Sequence, residues 1–358
     1  MNFLGFRNWF DSLSNCSHLV IAGPCSAESE EQVLDTARQI SKIEQVKVFR
    51  AGVWKPRTSP NDFEGVGEIA LKWLKKVKSE TGLLTCVEVA TSKHVEKCLE
   101  NDVDIFWVGA RTVANPFSVQ SIADVLKGVD KPVLIKNPIN PDLKLWVGAI
   151  ERIYKAGINK IAAIHRGFYP FEDTRFRNIP KWEIPIELKT LFPNLQIITD
   201  PSHIAGKIEL IKEVASQALC MNVDGLMIET HNNPKVALSD ASQQLTPLQL
   251  DVLLKELKFR KEQIINKELL SDLQNWRFQI DSLDFQMLEL LSKRMEIVEK
   301  MGKYKEERNM SVFQLERWKE IRATRIKAGE ELGLDSDFVK KILQIIHNQS
   351  IIAQSKNK

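Results

Sequence analysis

Residues 19–52 read LVIAGPCSAESEEQVLDTARQISKIEQVKVFRAG. Two short apolar runs, LVIAG at 19 and VKVFRAG at 46, enclose EEQVLDTARQISKI, an amphipathic stretch with helical spacing. Continuous apolar runs separated by such patterns mark parallel strands buried on both faces, so the stretch is a βαβ unit. The pattern repeats with LLTCVEV at 83, DIFWVGA at 104, PVLIK at 132, KIAAIH at 160, LQIITD at 195 and DGLMIE at 224, which brings the strands to eight. Eight βα units in about 250 residues predict an α/β fold of the (β/α)8 TIM-barrel type. A doubly wound sheet fits less well, because it would have strands to spare and the chain lacks a G-x-G-x-x-G turn.

The whole chain has 358 residues, which at roughly 150 residues per domain is room for two domains. With 43% hydrophobic and 27% charged residues it has enough apolar side chain to close a sizeable core, which excludes disorder. Fifty Lys and Arg against 47 Asp and Glu leave a net charge of +3, so nothing draws the chain to nucleic acid or anionic lipid, and small-molecule chemistry is the better expectation. The opening MNFLGFRNWF is not a secretory signal, and no apolar run approaches the roughly 18 residues of a membrane helix. Five cysteines, with no CxxC pair, argue against a disulfide framework and for a cytoplasmic protein.

All 14 prolines and all five cysteines lie at or before Pro247, whereas the last 92 residues hold only Gly302, Gly329 and Gly333. The expected division is a barrel over 1–258, a charged linker over 259–268 and a separate all-α domain of three helices over 269–358. The helices are expected near 268–306, 314–329 and 336–354. In the first, Leu273, Trp276, Ile280, Leu283, Met287, Leu291 and Val298 follow the spacing of a buried stripe. A helix of nearly forty residues extends about 55 to 60 Å, too far for two short helices to cover, so it is expected to bury itself in a second copy of the chain.

TIM-barrel active sites lie at the C-terminal ends of the strands. Those ends carry Cys25, Arg50, Glu88, Arg111, Lys136, His165 with Arg166, Asp200 with His203, and Glu229, with Lys55, Arg57 and Thr58 just beyond strand 2 and Asp240 beyond strand 8. Cys25, His203, Glu229 and Asp240 offer a thiol, an imidazole and two carboxylates, a set suited to one divalent ion of the manganese, iron, cobalt or zinc class. Arg50, Lys55, Arg57, Arg111, Lys136 and Arg166 form a cationic group fit for phosphate and carboxylate oxygens. Each has an ordinary reading by itself: a buried cysteine as a small hydrophobe, an arginine as a solvated charge. Their coincidence at one end of successive strands carries the inference.

GPCSAES, KPRTSP, GAR, DPSH with Glu229 26 residues beyond its histidine, and ALSD resemble the motif set of the 3-deoxy-D-arabino-heptulosonate 7-phosphate (DAHP) synthases, over residues 19–245. The resemblance implies metal ligands at Cys25, His203, Glu229 and Asp240. It implies phosphoenolpyruvate contacts at Arg50, Arg111, Lys136 and Arg166, and erythrose 4-phosphate contacts at Lys55, Arg57 and Thr58. The related synthases that use arabinose 5-phosphate usually carry an Asn-containing sequence in place of KPRTS. The implied reaction is metal-assisted attack of the phosphoenolpyruvate methylene carbon on the aldehyde, with Lys55 protonating the alkoxide and a metal-held water, or a carboxylate such as Glu88 or Asp240, assisting the addition of water. His165 departs from the pattern, which has Glu before Arg-Gly.

In the helical region Arg294 and Lys305 lie about 20° apart on one face, and Arg277 lies about 80° to 100° off it, so Arg277 could serve a different pocket. Ser350 and Gln354 share a face one turn apart. On spacing alone this reads as a solvated stripe on a dimerisation helix. W-R-x-x-I-D-x-L-D at 276, L-x-x-R-M at 291, G-K-Y-K at 302, Q-L-E-R at 314 and S-I-I-A-Q at 350 resemble the all-helical chorismate mutases, over residues 270–355. That resemblance implies an intertwined homodimer, open to higher assembly, with Arg277 supplied by the partner and Arg294, Lys305, Arg317, Ser350 and Gln354 completing each chorismate pocket. Gln314 and Trp318 depart from it, where some members have acidic residues. The alternative is a dimerisation and ligand-sensing module without catalysis. Either way, prephenate or chorismate is the expected feedback effector of the barrel, acting through the helices.

Overall fold

The computed structural model describes residues 5–10, 13, 18–56, 61–170, 174–259 and 267–355. Eight parallel strands close into a barrel in sequence order: β1 (Leu19–Gly23), β2 (Val46–Ala51), β3 (Leu84–Val89), β4 (Ile105–Val108), β5 (Val133–Lys136), β6 (Ile161–His165), β7 (Gln196–Thr199) and β8 (Gly225–Glu229). β8 pairs with β1 from Leu19 opposite Gly225 to Gly23 opposite Glu229, which completes the ring. All eight expected strands are present, and helices follow them on the outside as the amphipathic stretches require. The first of these, Glu30–Ile40, is capped by Ser29, whose side chain accepts from the Gln32 amide.

Strand alternation sorts the side chains into two layers. Leu19, Ile21, Val48, Cys86, Ile105, Trp107, Leu134, Ala162, Ile164, Ile198 and Met227 fill the barrel interior. Val20, Phe49, Val87, Phe106, Ile135, Ala163, Ile197 and Ile228 face outward into the helix layer. Trp9 and Phe10, both buried, belong to the interior cluster, so the segment before β1 packs against the barrel's inside. Continuing the inward parity to the strand ends puts Arg50, Glu88, Lys136, Arg166, Asp200 and Glu229 over the barrel axis. His165 has the outward parity of Ile161 and Ala163.

The chain divides into two compact units, residues 1–262 and 263–358. Most of the expected linker, 259–268, lies outside the described residues, and Lys267 already begins the first helix of the second unit. That unit consists of a long helix, Lys267–Glu307, a middle helix, Leu315–Glu331, and a last helix, Ser336–Ser355. The last helix packs on both others. Gly329 lets it approach closely, since a Cβ there would lie 2.6 Å from Val339 Cγ2. Of the expected buried stripe, Val298 is buried, but Trp276, Ile280, Leu283 and Met287 are each more than half exposed in the single chain. Among the described residues no helix is long and apolar enough to cross a membrane.

Candidate active sites

At the C-terminal mouth of the barrel, the ligand atoms of Cys25, Glu229 and Asp240 all lie within 4.8 Å of one another. Cys25 Sγ is 3.2 Å from Asp240 Oδ2, and Lys55 Nζ donates to Cys25 Sγ and to its carbonyl oxygen, each at 3.0 Å. Burial first, then the charge of Glu229, push the Cys25 thiol up to about 12, with Lys55 opposing. His203 approaches the group from the short helix Pro201–Ala205 that follows β7: its Nε2 is 3.8 Å from Glu229 Oε1, and its Nδ1 is 2.8 Å from Asp200 Oδ2. Burial opposes ionisation of Asp240, but Arg177 and then His203 hold its carboxyl below the usual range.

The cations surround this cluster. Arg50 is buried and pairs with Glu229 at 3.1 Å, yet its Nε and Nη1 have no hydrogen-bond partner. Lys136 pairs with the buried Asp200 at 3.0 Å. Trp107, inside the barrel, lies beneath both, with the Arg50 guanidinium 4.9 Å from its ring centroid and Lys136 Nζ 5.9 Å, and its Nε1 donates to Glu88 Oε2 at 2.9 Å. Arg166 donates to Asn178 Oδ1 at 2.7 Å. Burial lowers its guanidinium to about 10; Asp200 opposes that shift, and Arg177 and Arg111 add to it. A polar cavity of about 90 Å³ runs between Lys55, Glu88, Arg111, Lys136, Arg166, Arg177, His203 and Asp240. Orphaned guanidinium nitrogens beside a cavity lined by five cations are arranged for an anion. A larger cavity of about 260 Å³, under Trp182, Ile186 and Met221, holds no comparable group of reactive side chains.

The expected mouth residues thus converge, apart from Arg57 and Thr58, which lie outside the described residues. Sequence reasoning missed Arg177, which lines the cavity and pairs with Asp240 at 3.1 Å, and Gln243, which donates to Glu229 Oε2 at 2.6 Å. It also missed Asn178, whose Nδ2 donates to the His203 carbonyl. His165 is buried outside the barrel mouth, its Nε2 2.6 Å from the Pro180 carbonyl and its ring against Trp182. The departure at that position therefore bears on packing.

In the helical unit Arg294 Nη1 donates to Ser350 Oγ at 2.7 Å, and Gln354 Nε2 to the Ser350 carbonyl at 3.2 Å. Gln354 Oε1 is buried without a partner. Gly302 brings the long helix against Gln354, since a Cβ there would lie 3.0 Å from Gln354 Cα. Lys305, buried, donates to the Val312 carbonyl at 2.8 Å. Arg317 is half exposed and pairs with Glu320. Arg277 is exposed and seventeen residues from Arg294 on one helix, about 26 Å away, so one chain cannot bring the two together. Trp318 stacks on His347, ring centroids 3.9 Å apart.

Residues 14–265 match the DAHP synthetase I family, and residues 276–355 match chorismate mutase type II. The chain is 33% identical over 246 residues to a phospho-2-dehydro-3-deoxyheptonate aldolase of Thermotoga maritima, covering 69% of this chain and 70% of that one. It is 28% identical to a 2-dehydro-3-deoxyphosphooctonate aldolase of Vesicomyosocius okutanii, over 68% of this chain and 91% of the other. The crystal structure of the Thermotoga maritima phospho-2-dehydro-3-deoxyheptonate aldolase (DAHP synthase) superposes with a TM-score of 0.61 at 31% identity, covering 68% of this chain and 69% of that one.

Proposed function

The chain belongs to the DAHP synthetase I family and carries a chorismate mutase type II domain behind the barrel, and on that premise we propose that its two activities are respectively metal-dependent and dimer-dependent, and are linked by feedback. The barrel condenses phosphoenolpyruvate with erythrose 4-phosphate to give DAHP and phosphate. The helical module rearranges chorismate to prephenate. The observation that carries the first reading is the closeness of Cys25, Glu229 and Asp240 within a ring of cations.

One thiol and two carboxylates within 4.8 Å, with the His203 imidazole alongside, suit a borderline divalent ion of the manganese, iron, cobalt or zinc class. Bound to these four residues, such an ion supplies Lewis acidity toward an aldehyde oxygen. Arg50, Arg111, Lys136 and Arg166 bind the phosphate and carboxylate of phosphoenolpyruvate, and the orphaned Arg50 nitrogens support that role. Lys55, together with Arg57 and Thr58, receives erythrose 4-phosphate. As the phosphoenolpyruvate methylene carbon bonds to the aldehyde carbon, Lys55 gives a proton to the new alkoxide. Glu88 or Asp240 takes a proton from the water that adds to the enol carbon, and the phosphohemiketal then expels phosphate.

Arg294, Arg317 and the partner's Arg277 hold the two carboxylates of chorismate, Ser350 fixes Arg294, and Lys305 and Gln354 hydrogen-bond the ether oxygen as its bond to the ring breaks. The half-exposed apolar face of the long helix supports the partner being a second copy of this chain. A second reading, a sensing module that binds without turnover, draws on Gln314 and Trp318 standing where acidic groups are expected. We place the enzyme in the cytoplasm, in keeping with its free cysteines.

Prephenate in the helical pocket is proposed to inhibit the barrel. Such coupling requires prephenate to bind an inhibited arrangement more tightly, by about 1 to 3 kcal/mol for roughly 5- to 150-fold. The test follows phosphoenolpyruvate loss and chorismate loss in one preparation, before and after chelation and with added prephenate. Chelation should abolish only condensation, and manganese or cobalt should restore it. Absence of chorismate loss leaves the sensing reading. Prephenate inhibition should vanish in a chain ending near residue 258, and inhibition that persists there places the effector site in the barrel.

A further inference from the structure

The segment after β8 reaches back over the barrel mouth with two consecutive, fully buried glutamines. Gln243 Nε2 donates to Glu229 Oε2 at 2.6 Å, while Gln243 Oε1 accepts from Arg177 Nη1 at 2.6 Å. The same Arg177 nitrogen is 3.1 Å from Asp240 Oδ1. Gln244 Oε1 accepts from the Cys25 amide at 2.9 Å, and its Nε2 donates to the Ser239 carbonyl at 2.8 Å. All three residues whose ligand atoms cluster at the mouth are therefore gripped by Arg177, Gln243 and Gln244.

The direction of the Gln243 amide follows from its neighbours. A guanidinium can only donate and a carboxylate can only accept, so the amide oxygen must face Arg177 and the amide nitrogen must face Glu229. Gln243 thereby occupies Glu229 Oε2 and leaves Oε1 turned toward Arg50 and His203. The base of Arg177 packs closely on Gly206, which is in the left-handed region at φ +69° and where a Cβ would lie 2.4 Å from Arg177 Cβ, while the outer part of the arginine stays partly exposed. Asp240, at φ +46°, is a non-glycine residue in the same sparsely populated region, the backbone cost of aiming its carboxylate into the mouth.

The geometry points to Gln243 as a positioning residue that holds Glu229 in its metal-ligating orientation, with Arg177 setting the polarity of the amide and balancing the charge of Asp240. This rests on the metal-dependent reading above. Groups that orient metal ligands typically change metal affinity by 10- to 100-fold when removed. A buried amide that only filled space would leave that affinity alone.

The test uses the full-length chain stripped of metal and titrated with Mn²⁺ by calorimetry. Gln243→Met, which keeps the length and loses the hydrogen bonds, should weaken Mn²⁺ binding about 10- to 100-fold. Condensation should need correspondingly more Mn²⁺ and recover most of its kcat at saturation, with chorismate turnover unchanged. Gln243→Asn, one methylene shorter, should shift binding the same way, and it is the variant to read if Gln243→Met does not fold. Unchanged Mn²⁺ affinity in a folded variant, beside tight wild-type binding, overturns this inference alone. No Mn²⁺ binding by the wild-type chain overturns the metal-dependent reading and this inference with it.

Discussion

Lys55 Nζ stands 3.0 Å from both the sulfur and the carbonyl oxygen of Cys25. Burial works against the Lys55 charge, but Cys25, Glu229 and Glu88 outweigh it and raise its pKa above the usual lysine value. Lys55 is therefore a charged ammonium held against the cluster of ligand atoms, placed for the proton transfer proposed above. Lys55→Met should lower kcat for condensation by roughly 10²- to 10⁴-fold, the range of a lost general acid, and leave chorismate turnover untouched. Steady-state rates of both reactions check this, and a loss below tenfold removes Lys55 from the proton transfer.

Gly52 sits between those two residues. A Cβ at this position would lie 2.4 Å from the Cys25 carbonyl oxygen and 2.9 Å from Lys55 Cδ. The carbonyl belongs to backbone and cannot swing away, so the displacement falls on Lys55 and the loop that carries it. Gly52→Ala should reduce condensation by roughly 100-fold, as misplacement by about an ångström does. The far-ultraviolet circular dichroism should not change. Wild-type kinetics in the variant would show that the loop tolerates the shift.

His165 gives the barrel a dependence on pH. Burial lowers its pKa to about 4 from an unfolded value near 6.5, so the folded state binds its proton less readily. Stability from this group is intact above pH 6.5 and falls as the pH drops toward 4. By pH 5 the loss is about 2 kcal/mol, because the unfolded chain takes up the proton that the folded chain refuses. Chemical denaturation of the wild type should weaken by about that much more between pH 7 and pH 5 than denaturation of His165→Gln. Equal weakening in both proteins would assign the acid sensitivity elsewhere.

The eight strands were legible because a parallel strand covered on both faces reads as an unbroken apolar run. The mouth was legible because alternation carries the interior layer up to Arg50, Lys136 and Glu229. The same alternation, applied to β6, would have placed His165 outside the mouth. Arg177 and Gln243 left no comparable trace. Each acts through a loop, and Arg177 meets Asp240 across 63 residues of chain, so neither periodicity nor a strand end marks it. In the helical unit the apolar stripe was plain, but a period of 3.6 cannot tell a stripe that packs within the chain from one left open. Val298 is buried, and Trp276 is 61% exposed.

That open stripe and the position of Arg277 lead to the same expectation. Arg277 and Arg294 are about 26 Å apart on one helix, so a pocket that uses both must take them from different chains. Arg277→Ala and Arg294→Ala should each abolish chorismate turnover. In a heterodimer of the two variants, one pocket then carries both defects and the other carries neither. Random mixing makes about half of all dimers heterodimers, and each has one intact pocket of two, so about a quarter of wild-type activity should return. If verified heterodimers recover nothing, Arg277 and Arg294 do not meet in one pocket from different chains, and the shared-pocket arrangement is refuted.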